Sequence, residues 1–187
     1  MTTVKGFDLE RVMIFIDGNN FYYGCKDTIG TSHIDFKKLL KFLAKDRELV
    51  KAYYYNALLD KSQNSETYKK QMVFFDELRE VGIEVILCSG KAKAGRNIKG
   101  DDVNLAVDML INAFKNSYDT AILVSGDGDF LPLVKAVKDE FRKKVENAIF
   151  VVNQSHDLTV LCKPNIIYMD NFIHKCKRSA ILPFLKK

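Results

Sequence analysis

The sequence predicts one doubly wound α/β domain, a three-layer α/β/α arrangement around a mainly parallel sheet. Three observations carry this expectation. Six apolar runs of strand length recur along the chain, and helix-period segments separate them. The runs are continuous rather than alternating, as in strands covered on both faces. The 187 residues contain no repeat, low-complexity tract or composition break that would mark a second unit.

The first run is VMIFI at 12–16, and the tyrosine-rich VKAYYYNA at 50–57 is the second. IEVIL at 83–87, AILV at 121–124, AIFVV at 148–152 and IIYM at 166–169 complete the set. Between them, apolar residues at 103, 106, 107, 110, 111 and 114 make a helical stripe. Tyr68, Met72, Phe75 and Leu78 form a second stripe, and Leu131, Val134, Val137 and Phe141 a third. With 3 prolines and 10 glycines, the connections should be short.

Composition narrows the function classes. Hydrophobic residues make up 47% and charged residues 28%, ordinary for a globular chain and wrong for a disordered one. Cys25, Cys88, Cys162 and Cys176 lie far apart without metal-ligand spacing, so they read as reduced, structural thiols. No signal-peptide pattern opens the sequence, and no apolar run approaches the roughly 20 residues of a membrane helix. The expectation is a cytoplasmic protein. Basic residues number 29 and acidic ones 24, and the resulting net charge of +5 permits an anionic partner.

In open parallel sheets, ligands collect beyond the carboxyl ends of the strands. Asp17-Gly18-Asn19-Asn20 follows the first run, and Ser125-Gly126-Asp127-Gly128-Asp129 follows the fourth. After the third run, Lys99-Gly100 leads into Asp101 and Asp102 at the start of a helix. Capping and the helix dipole explain one aspartate there, and Asp101 is assigned that role; Asp102 is then left over. Asp108 lies six residues beyond Asp102, about 120° around the helix, and is a secondary candidate together with Asp101. Asp17, Asp102, Asp127 and Asp129 are thus expected to meet at one sheet edge. Two like charges 4 Å apart repel by about 4 kcal/mol at an effective dielectric near 20. A hard divalent cation, Mg²⁺ or Mn²⁺, is the economical neutraliser.

A basic loop carrying Lys91, Lys93, Arg96 and Lys99 abuts the acidic cluster, and Lys93, Arg96 and Lys99 are candidates for drawing in a polyanion. No phosphate-binding glycine loop of the GxxxxGK[ST] or GxGxxG type is present. His33, His156 and His174 have no triad spacing. Phe21, Tyr22 and Tyr23 are expected to pack rather than to stack on bases, and Tyr53-Tyr54-Tyr55 is a candidate edge for a second copy of the chain.

Three blocks together, IFIDGNNFYYG at 14–24, KGDDVNLAVDML at 99–110 and ILVSGDGDFLPLV at 122–134, resemble the signature blocks of the NYN domain. This is the LabA-like branch of the PIN/FEN-like nuclease superfamily. The resemblance implies a PIN-like, Rossmann-type domain over residues 10–175, followed by a basic tail at 176–187. It implies that Asp17, Asp102, Asp127 and Asp129 bind metal and carry catalysis. Asn20 matches a position that orients substrate or water, and Lys99 and Ser125 match positions that contact phosphate. Glu146-Asn147 departs from the commoner glycine-rich approach to the fifth strand, a difference expected to touch only the rim. The implied activity is metal-dependent cleavage of RNA phosphodiester bonds by in-line attack of water, with no covalent intermediate.

Two rival readings are weaker. A HAD-type phosphatase needs a second acid two residues after its first aspartate, and Asn19 stands there. An RNA-binding module without turnover gains nothing from four aspartates beside its phosphate track.

Overall fold

Six strands form one fully parallel sheet in the order β3-β2-β1-β4-β5-β6. They are β1 (Arg11–Asp17), β2 (Glu48–Ala57), β3 (Ile83–Cys88), β4 (Thr120–Val124), β5 (Lys144–Ile149) and β6 (Ile166–Tyr168). Helices α1 (Gly18–Ile29), α2 (Phe36–Ala44), α3 (Ser65–Glu80), α4 (Asp101–Phe114), α5 (Leu131–Asp139) and α6 (His156–Cys162) connect them. The computed structural model describes residues 9–59, 61–62, 64–88 and 100–178.

The continuous apolar character of β1 follows from its two covered faces. Val12, Ile14 and Ile16 point into one core with Phe21 and Cys25 of α1, Leu39 and Leu43 of α2, and Phe75 and Leu78 of α3. Met13 and Phe15 point into the other, with Leu105 and Met109 of α4, Val134 and Val137 of α5, and Leu158 of α6. The three layers expected from the sequence are therefore present, with α1–α3 on one side and α4–α6 on the other. Phe15 is fully buried against Tyr53 and Tyr118, so Phe15→Ala would cost about 3–5 kcal/mol.

Two expectations change. The fifth apolar run, 148–152, is mostly not strand: β5 runs from 144 to 149, and Val151–Asn153 is a 3-10 turn. Its first half is hidden from an apolar search because Glu146 and Asn147 are buried polar residues within it. Burial opposes ionisation of Glu146, but hydrogen bonds from Arg47 and Lys144 outweigh it and lower its pKa. The tyrosine run offers no edge, because β2 lies between β1 and β3 and Tyr53, Tyr54 and Tyr55 are buried. Residues 176–178, at the start of the expected tail, contact the domain. Cys176 is fully buried, the Arg178 backbone N–H donates to the His33 carbonyl, and its guanidinium pairs with Glu77.

All four cysteines are unpaired and buried, in line with structural thiols. Among the described residues, no helix is long and apolar enough to cross a membrane.

Candidate acidic site at the strand switch point

From β1 the chain winds outward in one direction through β2 and β3, and from β4 in the other through β5 and β6. The carboxyl ends of β1 and β4 therefore border the crevice where such sheets bind ligands. Asp17 is the last residue of β1 and also the N-cap of α1, accepting from the Asn20 backbone N–H at 3.1 Å. Ser125 stands just beyond β4, and its hydroxyl donates to Asp17 Oδ2 at 2.9 Å. The same Ser125 oxygen accepts from the Asp127 backbone N–H at 3.1 Å. One hydroxyl thus joins the two acidic turns.

Asp127 caps a 3-10 turn, Gly128–Phe130, by accepting from the Asp129 backbone N–H at 2.9 Å. That places Asp127 half-buried beside Asp17 and leaves Asp129 exposed at the rim. The third carboxylate comes from α4. Asp101 is its first residue, with Gly100 at the cap position and no side-chain capping bond. Instead Asp101 is buried, with Oδ2 accepting from Asn19 Nδ2 at 3.1 Å. The role expected for Asp101, a cap, is thus replaced by a contact with the residue two beyond Asp17. Its Oδ1 is buried and has no hydrogen-bond partner among the described residues.

Asp101 and Asp127 both lie near enough for their charges to act on Asp17. Burial raises the pKa of Asp17, the Asn20 and Ser125 hydrogen bonds pull it down, and the charges of Asp101 and Asp127 push it up again. Asp17, Asp101, Asp127 and Asp129 form no ion pair among the described residues, whereas Asp119 is held by Arg11 and Glu146 by Arg47. Asp102 sits on the β3 side, half-buried. Burial raises the Cys88 thiol pKa, and Asp101 and then Asp102 add to it. Asp108 lies further along α4 and accepts from the buried Tyr55 hydroxyl at 3.1 Å. Lys91, Lys93, Arg96 and Lys99 lie outside the described residues.

A layer of asparagines supports the turns. Asn20 Oδ1 accepts from the Gly126 backbone N–H and from Asn153 Nδ2, both at 3.0 Å. Gly126 permits this approach, because a Cβ there would stand 2.1 Å from the Asn153 carbonyl oxygen. Fully buried Asn147 donates to the carbonyls of Leu123 and Ser125 at 3.2 and 2.8 Å. The departure at Glu146-Asn147 therefore reaches the acidic site through Ser125, not only the rim. Sequence reasoning missed Asn153 and Asn147. Asn153 follows the fifth apolar run as Asp17 follows the first, and the same rule would have found it.

Shallow depressions elsewhere do not contain the aspartates. One is lined by Glu10, Arg11, Glu48 and Asp119 at the opposite end of the sheet, and another lies between α5 and α6.

The model of the NYN domain matches residues 11–170. The chain is 32% identical over 131 residues to the Low amplitude and bright protein LabA of Synechococcus elongatus. That match covers 66% of this chain and 66% of the relative, just under two thirds of its length. A crystal structure of a protein of unknown function from Vibrio parahaemolyticus superposes with a TM-score of 0.74 at 27% identity. It covers 91% of this chain and 99% of that one.

Proposed function

The chain belongs to the NYN domain family, whose members share a nuclease-like fold, and from that premise we propose that it is a divalent-metal-dependent ribonuclease. The observation that carries the proposal is the meeting of Asp17, Asp101 and Asp127 at the β1–β4 crevice without a compensating cation among the described residues.

The residues fit Mg²⁺ or Mn²⁺. Among the described residues, no three His, Cys, Asp or Glu side chains stand close enough to chelate one ion directly. Magnesium does not need such a cage: it is held by one or two carboxylates, retains several waters and completes its shell with phosphate oxygens. The unpartnered Asp101 Oδ1 is a buried acceptor of the hard kind this ion prefers. One or two of Asp17, Asp101 and Asp127 would hold the ion directly and the remaining carboxylates would act through its waters.

When bound, such an ion supplies Lewis-acid chemistry, lowering the pKa of a water and neutralising charge on the scissile phosphate. The chain's residues do the positioning. Ser125 and the Asn20 backbone N–H each hold one Asp17 oxygen, so the carboxylate cannot turn away from the crevice. Asn20 ties the Gly126 backbone to α1, keeping Asp127 in register with Asp17. The basic residues of the 91–99 stretch are proposed to draw the polyanion toward this edge.

The test is turnover of single-stranded RNA with Mn²⁺, with Mg²⁺ and with EDTA, in the wild type and in Asp17→Asn and Asp127→Asn. Metal-dependent cleavage lost in both variants supports the proposal. RNA bound but uncut with either metal would replace it with a binding module, and cleavage retained in Asp17→Asn would overturn the assigned site.

A further inference from the structure

Of the three aromatic residues that follow the first acidic turn, only Phe21 packs as expected. It is buried against Phe36 and Phe150. Tyr22 and Tyr23 are 43% and 61% exposed on α1, although the helix buries a full apolar face beneath them. Their rings meet edge to face, with centroids 5.3 Å apart and planes at 86°. Lys26 Nζ stands 5.7 Å from the Tyr22 ring. Neither ring belongs to either core, so each leaves a large amphipathic face in water.

Position gives the pair a task. Tyr22 follows Asn19 by three residues and Tyr23 follows Asn20 by three, so each ring sits about one turn from an amide that supports the acidic site. Along the axis of α1 the Cα positions of Tyr22 and Tyr23 stand about 7–9 Å beyond that of Asp17. Bases of a single strand stack on exposed aromatic side chains, and nearby cations track the phosphates. A duplex keeps its bases stacked inside and cannot offer them to such a shelf.

We propose that Tyr22 and Tyr23, with Lys26, form a stacking platform for an unpaired base next to the phosphate held at the acidic site. This rests on the ribonuclease reading for the identity of the strand, and the platform is tested by binding rather than turnover.

Anisotropy of a labelled ten-nucleotide RNA is measured in calcium buffer for the wild type and for Tyr22→Leu/Tyr23→Leu, with three ligands. These are the single strand, its duplex, and the single strand with abasic nucleotides in place of bases. The platform predicts that the wild type prefers the single strand to the abasic strand and to the duplex by about tenfold, and that the double variant loses that preference. Both side chains are exposed, so the variant should melt at the wild-type temperature. Equal affinity for normal and abasic strands overturns the platform, and cleavage of RNA with Mn²⁺ in that case leaves the ribonuclease reading standing. No binding and no cleavage of RNA overturns both. A variant with unchanged RNA affinity but an altered elution volume would assign the tyrosines to a protein contact and overturn the platform.

Discussion

Asn19 Nδ2 donates to Asp101 Oδ2 at 3.1 Å across 82 residues of sequence. This bond ties the first turn of α1 to the first turn of α4, and it brings a third carboxylate to the side of Asp17 and Asp127. The consequence is local like-charge repulsion that the fold tolerates at a place where ligands of parallel sheets bind. Destabilisation confined to one crevice is a mark of a site built for binding rather than for stability.

Asp17 should therefore lower stability at neutral pH. Burial, together with the charges of Asp101 and Asp127, raises its pKa in the folded protein above the ordinary 3.8. The folded state then holds this proton more tightly than the unfolded chain, so the contribution is present at low pH and fades as pH rises through the folded value. Asp17→Asn is expected to raise the metal-free melting temperature at pH 7 while removing RNA cleavage. Thermal melts from pH 4 to 8 check this, and a variant that melts lower at pH 7 contradicts it.

The Ser125 hydroxyl acts on the same group in the opposite direction. Its bond to Asp17 Oδ2 favours the carboxylate, so Ser125→Ala should raise the Asp17 pKa further. If activity requires ionised Asp17, the acid limb of the pH–rate profile moves to higher pH in this variant. A profile of unchanged shape with only a lower plateau would mean that Ser125 does not tune Asp17.

Asn147 is the buried support behind Ser125. Replacing it with Val keeps the strand but removes the side-chain bonds that the Leu123 and Ser125 carbonyls accept in the core. Stability should fall by about 1–3 kcal/mol. That corresponds to a drop of about 2–12 °C in melting temperature. Cleavage should fall as well, since the Ser125 backbone is released. A Val variant as stable and active as the wild type would show that the amide is dispensable.

The fold was largely legible because strands buried on both faces write themselves as unbroken apolar runs, as β1 and β4 do. It was not legible where polar residues are buried inside a strand: Glu146 is neutralised by Arg47, which lies 99 residues away. The strand-end rule located Asp17, Asp127 and Asp129. It put Asp102 ahead of Asp101, whereas Asp101 is the buried one: neighbouring helical residues differ by 100°, and only the placement of α4 on the sheet sets which one turns inward. The exposure of Tyr22 and Tyr23 was hidden for a similar reason, since an aromatic triplet does not show which ring its helix buries.

The most direct test of the account is a Mn²⁺ titration of the wild-type protein followed by electron paramagnetic resonance, repeated with Asp17→Asn, Asp101→Asn and Asp102→Asn. The account predicts saturable binding in the wild type, weakened about tenfold or more by Asp17→Asn and Asp101→Asn and less by Asp102→Asn. Wild-type protein that leaves the free Mn²⁺ signal undiminished, or binding that survives both Asp17→Asn and Asp101→Asn, would contradict it.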